Sequence, residues 1–196
     1  MATLRAVETP PIYKLHYALD MSQAVAELYD GGDYWNRHQL RTEQYVHSVV
    51  DDIWLRFHPW QDDLSLEEFN QPHESVWYPI AEELPGLVNA VLTVWRNTIE
   101  SLPSRHIEFG GVLVTRVPPG KKIEPHDDCG SWHAEYYNHK VAVQVLGHKD
   151  QAFCFDGHRC VAETGELYVF DNQQVHWIEN NSDQDRVTMI ICMRLN

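Results

Sequence analysis

The sequence predicts a mainly β fold, a barrel or sandwich with N-terminal helices packed on one outer sheet face. Two observations carry this. Beyond about residue 105, short β-branched and aromatic runs recur at regular spacing between turn residues, which is the pattern of antiparallel barrels and sandwiches. Before that point one long segment carries an apolar stripe of helical period, and such a stripe needs a sheet face to cover it. The chain has 196 residues, and domains commonly run roughly 100 to 200, so a single domain is expected. Residues 1–105 form its mostly helical part and residues 106–196 its β core.

Each element has a local reason. Asp20 is placed to cap a short helix through Ala24, Val25 and Leu28, which Gly31-Gly32 would end. Tyr45 to Phe57 holds Val49, Val50, Ile53, Trp54 and Phe57, a run that fits either a helix or a buried strand. Pro85 suits a first helical turn, and Val88, Val91, Leu92, Trp95, Ile99 and Leu102 then make one apolar stripe until Pro103 stops the helix. Strands are expected over Gly111–Val117, Lys140–Gly147, Ala152–Phe155, Glu166–Asp171, Gln173–Glu179 and Arg186–Arg194. Pro118-Pro119-Gly120, Asp156-Gly157, Thr164-Gly165 and Asn180-Asn181-Ser182-Asp183 separate them as turns.

Composition excludes several function classes. Lys and Arg number 15 against 29 Asp and Glu, a net charge of −14 that disfavours a partner held by its phosphates, so no nucleic acid is expected. No window approaches the roughly 18 apolar residues of a membrane span, and the N-terminus lacks a secretory layout, so the expected location is cytoplasmic. The cysteines Cys129, Cys154, Cys160 and Cys192 lack zinc-ribbon spacing. A three-residue loop at Asp156-Gly157-His158 would set Cys154 opposite Cys160, although a cytosolic disulfide there is not expected.

The chain holds twelve histidines, so chance pairings with carboxylates must be pruned. His126-Asp127-Asp128 and His148-Lys149-Asp150 both offer His-x-Asp, and on a strand the first would project His126 and Asp128 to one face. His176 lies fifty residues beyond His126, far enough for the intervening strands, whereas His148 sits in a turn too close to it. Two imidazoles and one carboxylate leave open positions on an octahedral ion, the arrangement of non-haem Fe(II) oxygenases. Arg186 follows His176 by ten positions on the next strand, and its guanidinium can fork onto the far carboxylate of 2-oxoglutarate. A lone histidine on a strand is more often structural and a lone arginine more often a surface ion pair; the joint pattern favours the site. Trp132, His133, Tyr136 and Tyr137 are placed as lid residues by position, while Trp54 and Arg56 read as a core ring and its solvated neighbour.

At these residues the chain resembles the aspartyl/asparaginyl β-hydroxylase family of Fe(II)- and 2-oxoglutarate-dependent oxygenases. The resemblance runs over residues 112–194, through Arg116-Val117-Pro118-Pro119-Gly120, Pro125-His126-Asp127-Asp128, Gly165-Glu166, Phe170-Asp171, His176 and Arg186-Val187. It implies a double-stranded β-helix, jelly-roll or cupin-like, with iron on His126, Asp128 and His176 and 2-oxoglutarate on Arg186. The family also places a basic side chain after the first metal motif to touch the cosubstrate, and His139 answers to it. Animal peptidyl-aspartate hydroxylases of the family carry glycine where this chain has Asp128; the full triad is like that of bacterial relatives, including free-proline hydroxylases. The implied reaction uses Fe(II), 2-oxoglutarate and dioxygen, releases succinate and carbon dioxide, and hydroxylates an amino acid, free or within a peptide. The alternatives are a cupin-like metal enzyme that uses no 2-oxoglutarate, and a non-catalytic binding module on the same fold.

Overall fold

The computed structural model describes residues 10–61 and 63–196. In chain order it runs β1 (Ile12–Ala18), α1 (Ser22–Leu28), a 3-10 turn at Tyr45–His47, β2 (Asp51–Phe57), α2 (Leu66–Phe69), β3 (Val76–Trp77), α3 (Ile80–Glu83) and α4 (Pro85–Ser101). There follow β4 (Ile107–Val117), β5 (Lys122–His126), α5 (Trp132–Tyr136), β6 (His139–Leu146), β7 (Gln151–Phe155), β8 (His158–Cys160), β9 (Glu166–Phe170), β10 (His176–Asn180) and β11 (Arg186–Leu195). Seven strands make one antiparallel sheet, ordered β1-β9-β6-β11-β4-β2-β3, and four make a second, ordered β5-β10-β7-β8. Facing each other, they form the double-stranded β-helix. No helix among the described residues is long and apolar enough to cross a membrane.

Strand alternation divides the large sheet between two environments. Along β11, Val187, Met189, Ile191 and Met193 point to the outer core with Val112, Val114, Val141 and Val143, whereas Arg186, Thr188, Ile190 and Cys192 point into a cavity between the sheets. The outer face is covered by α4 through Leu87, Val91 and Val94, with Leu84 just before the helix, and by Ala24 and Leu28 of α1. Each such side chain contributes about 1.5–3 kcal/mol by leaving water. This corrects the expected stripe. Leu92 and Ile99 lie on the outer side of α4, 48 % and 42 % exposed, and the buried line runs one step earlier along the helix. Both lines obey the three-four spacing, and the position of the sheet decides between them.

Three further differences have physical causes. The N-terminal part contributes β1, β2 and β3 to the large sheet, so it is less helical than its texture suggests. Between Tyr45 and Phe57 the 3-10 turn comes first and the buried strand second. The β7–β8 hairpin turns on two residues, Asp156-Gly157, with Gly157 at φ +70°, so Cys154 stands opposite Arg159 and Cys160 opposite Phe153. All four cysteines are free.

Candidate active site

The site begins where β5 and β10 pair. His126 ends β5, His176 starts β10, and the two are direct cross-strand partners, which brings their rings to 4.5 Å between centroids. Each ring is set by its own backbone. His126 Nδ1 lies 2.8 Å from the Glu124 carbonyl and His176 Nδ1 lies 2.8 Å from the Gln174 carbonyl. A carbonyl only accepts, so Nδ1 carries a proton in both rings, and in the neutral tautomer this selects, Nε2 keeps the lone pair that can ligate.

Asp128 reaches the same point by another route than expected. The strand stops at His126, and Asp128 sits in the turn beyond it. Asn172, just after β9, holds it there: Asp128 N–H donates to the Asn172 carbonyl at 3.0 Å, and Asn172 Nδ2 donates to Asp128 Oδ2 at 2.8 Å. The other oxygen, Oδ1, is 3.7 Å from His126 Nε2. One donor atom from each of His126, Asp128 and His176 lies within 4.8 Å of the others, the one such cluster among the described residues. Two neutral imidazoles and a carboxylate at that spacing suit a divalent iron with open positions. Burial pushes His176 below the ordinary imidazole value, against the pull of Asp128, and so keeps it in the ligating form. His148 lies away from this point, in the β6–β7 turn, with Nδ1 3.5 Å from Asp150 Oδ2.

A cavity of about 410 Å³ opens from the triad, and Arg186 lies in its wall. The guanidinium belongs to a residue only 2 % exposed; it donates to Thr188 Oγ1 at 2.7 Å and to the Tyr168 hydroxyl at 3.0 Å. Thr188 donates in turn to Gln144 Oε1 at 3.2 Å. No carboxylate of the described residues joins this network. Thr115, the cross-strand partner of Thr188, adds a buried hydroxyl with no hydrogen-bond partner among the described residues. A buried cation and an unpaired hydroxyl on a cavity wall are costly without a guest and fit an incoming carboxylate.

His139 does not line this cavity. It heads β6, where alternation gives the inward place to Lys140. Lys140 is buried, donates to the Ala134 and Tyr137 carbonyls, and has its ammonium pushed below the ordinary value by that burial. The expected lid segment forms α5. Only His133 of its aromatic residues faces inward, accepting from Gly111 N–H at 3.2 Å, while Trp132 stacks on Tyr136 at 4.6 Å. Gly111 is needed here, since a Cβ would come within 2.8 Å of His133 Nε2. Trp54 is buried on the cavity wall, and Arg56 is no solvated neighbour: it donates to the Gly110 carbonyl at 3.0 Å and lies over Phe109. Reading strands alone misses Asn172, Tyr168 and Thr115; Thr188 was within reach as the residue two beyond Arg186 on the same face.

A family profile described as aspartyl/asparaginyl beta-hydroxylase matches residues 74–194. No curated protein matches the chain by sequence. Among solved structures, the chain is similar to a prolyl hydroxylase from Trichoplax adhaerens in complex with a hypoxia inducible factor peptide, with a TM-score of 0.59, 12% identity, and coverage of 95% of this chain and 84% of that one. A prolyl-4-hydroxylase from Pseudomonas putida matches with a TM-score of 0.52, 14% identity and coverage of 94% and 92%. A 2OG-Fe(II) oxygenase-family oxidoreductase from Burkholderia pseudomallei gives 0.53 at 11% identity over 74% of this chain, which spans 66% of that protein's length. At these identities the likeness is one of fold.

Proposed function

Because the chain belongs to the aspartyl/asparaginyl β-hydroxylase family of iron- and 2-oxoglutarate-dependent oxygenases, we propose that it hydroxylates an amino acid, free or within a peptide, with His126, Asp128 and His176 holding the iron and Arg186 the far carboxylate of 2-oxoglutarate. The observation that carries the cosubstrate half of this reading is Arg186, a buried guanidinium on the cavity wall with no carboxylate partner among the described residues. It also weighs against a metal enzyme without 2-oxoglutarate, which would have no use for that charge. Bound iron with 2-oxoglutarate and dioxygen supplies an oxidant strong enough for an unactivated C–H bond.

The chain's own residues bind, orient and shield. The carbonyls of Glu124 and Gln174 fix which imidazole nitrogen is offered, and Asn172 fixes the carboxylate. Thr188 and Tyr168 hold the guanidinium in one orientation, so a carboxylate arriving there meets a prepared fork. Phe153, Phe170, Ile178 and Ile190 line the cavity with apolar surface, which excludes water and strengthens those polar contacts. Lys140, which lines the cavity where His139 does not, adds a second basic side chain to its wall.

Calorimetric titration tests the reading. With cobalt(II) in place of iron, 2-oxoglutarate binds the wild-type protein, and Arg186→Ala weakens that binding about a hundredfold, the value of a charge-assisted pair. Equal affinity in the two proteins would remove 2-oxoglutarate from the account. Succinate released only when an amino acid or peptide is present then separates a hydroxylase from a binding module.

A further inference from the structure

α4 is apolar on two sides, and the fold of one chain covers only the first. Leu87, Val91 and Val94 are sealed against the large sheet, while Val88, Leu92, Trp95 and Ile99 run along a second side, where Leu92 is 48 % and Ile99 42 % exposed. A helix with apolar residues on both sides is ordinarily covered on both. The patch continues onto β3, the edge strand of the large sheet, where Val76 is 40 % and Trp77 37 % exposed. Trp77, Val88 and Leu92 line a groove of about 560 Å³ between β3, α3 and α4. The rings beside it are held in place: Trp95 stacks on Phe109 at 4.9 Å, and Trp77 meets the same ring edge-on at 5.8 Å between centroids. Fixed aromatic rings next to an open groove lose little freedom when a partner arrives, which suits them as interface anchors.

The spacing of the stripe says which partner fits. From Val88 it steps by four, three and four residues to Leu92, Trp95 and Ile99, the spacing of a seam between two helices. Four-three-four reads the same from either end. A second α4 laid antiparallel, about a two-fold axis between Thr93 and Val94, therefore sets Val88 against the partner's Ile99 and Leu92 against the partner's Trp95. Glu82 and Arg105 lie equally far from that axis along the chain, so the same pairing brings Glu82 toward the partner's Arg105. Both are exposed and neither joins an ion pair among the described residues, whereas the neighbouring Glu83 is already paired with Arg37. A parallel pairing would bring like charges together at both ends, so charge selects the antiparallel one. We propose that α4 and β3 form the face through which two copies of this chain associate, antiparallel, along a Val88-Leu92-Trp95-Ile99 seam closed at each end by Glu82 and Arg105. One helix and an edge strand supply an interface near the low end of specific ones, roughly 1,200 Å² in total, and a dissociation constant on the order of 10 µM. Well below that concentration the chain is a monomer, and Leu92 then adds little to its stability.

Sedimentation velocity on the full chain tests this. Between about 1 µM and about 300 µM the wild-type protein passes from monomer to dimer. Leu92→Glu, which sets a carboxylate beside the axis, holds the chain monomeric throughout, and its melting temperature at about 1 µM stays that of the wild type. Ile99→Lys, at the far end of the stripe, does the same and guards against a fault of folding in the first variant. Charge reads the orientation. Glu82→Arg and Arg105→Glu each set like charges together in their own dimers and weaken association about fivefold. An equimolar mixture of the two restores it, because each altered end then meets its opposite in the other copy. A chain that stays monomeric at about 300 µM overturns the proposal. So does a dimer that survives both Leu92→Glu and Ile99→Lys, and so does a mixture of the charge variants that associates no better than either alone. None of these measurements involves iron or 2-oxoglutarate, so their outcome is separate from that of the hydroxylase reading.

Discussion

Arg186 costs the folded protein free energy. A charge held away from water without an opposite charge among the described residues is stabilising only when a ligand completes it, and even buried ion pairs can be replaced by well-packed apolar side chains with no loss or a gain of about 1–4 kcal/mol. Arg186→Met should therefore abolish 2-oxoglutarate binding while leaving the melting temperature of the ligand-free protein unchanged or higher; a clear drop would mean that the guanidinium is a structural brace through Tyr168 and Thr188. Asn172 gives a second expectation, because it orients Asp128 without being placed to ligate. Asn172→Ala should weaken cobalt(II) binding about 10–100-fold, His176→Ala should abolish it, and His148→Ala should leave it intact in the same titration. The meeting of His126 and His176 was legible from residue type and the strands that fit between them, whereas Asp128 joins them through the turn that Asn172 holds and not by the strand alternation expected of it. The choice between His139 and Lys140 was not legible. A shift of one residue exchanges the two faces of a strand, and only the pairing of β6 with β11 sets which basic side chain points inward.

The same limit governs whole elements. α4 announces its bounds through Pro85 and Pro103, and the helix follows them, yet its buried face cannot be chosen from periodicity when Val88, Leu92 and Ile99 compete with Leu87, Val91 and Val94. Substitution measures the difference. Leu87→Ala, at a fully buried position, should cost about 2–5 kcal/mol in urea unfolding, whereas Leu92→Ala, half exposed, should stay within about 0.5 kcal/mol. Equal costs would restore the stripe through Leu92. β1 was hidden, and β2 ambiguous between helix and strand, for a related reason: the residues of a strand toward the side of a sheet are specified by the neighbours they meet, and those neighbours, β9 and β4, lie more than fifty residues away in the chain. Most of the short strands after residue 105 were legible because local turn chemistry bounds them, as at Asp156-Gly157 and at Gly165, whose φ of +88° suits glycine; β5, Lys122–His126, was not among the expected strands.

Packing so many imidazole rings away from water has a consequence for the whole molecule. Burial lowers His38, His73, His133 and His139 below the ordinary imidazole value, His133 most deeply among them, and burial is the leading cause in each. The unfolded chain titrates these groups near the ordinary value of about 6.5, so between that value and the depressed folded values it binds more protons than the native state. The stability these neutral rings carry is therefore complete above about pH 6.5 and is lost as pH falls below it. His133 alone gives a slope of up to about 1.4 kcal/mol per pH unit there. The net charge of −14 acts in the opposite sense, because protonating carboxylates relieves self-repulsion, but most carboxylates titrate near pH 4, below the window in question. From about pH 6.5 down to 5.5 the histidines dominate, and the urea midpoint of the metal-free protein should hold nearly level from pH 7.5 to 6.5 and fall below that. Replacing His133 by Phe should make the profile shallower, since a ring of similar shape that cannot take a proton keeps the packing against Phe57 and Tyr137 and removes one imidazole's share of the slope, with the loss of the hydrogen bond from Gly111 N–H lowering the midpoint at every pH alike. A midpoint that holds constant in the wild-type protein would show that these imidazoles find protons, and water, in the folded state.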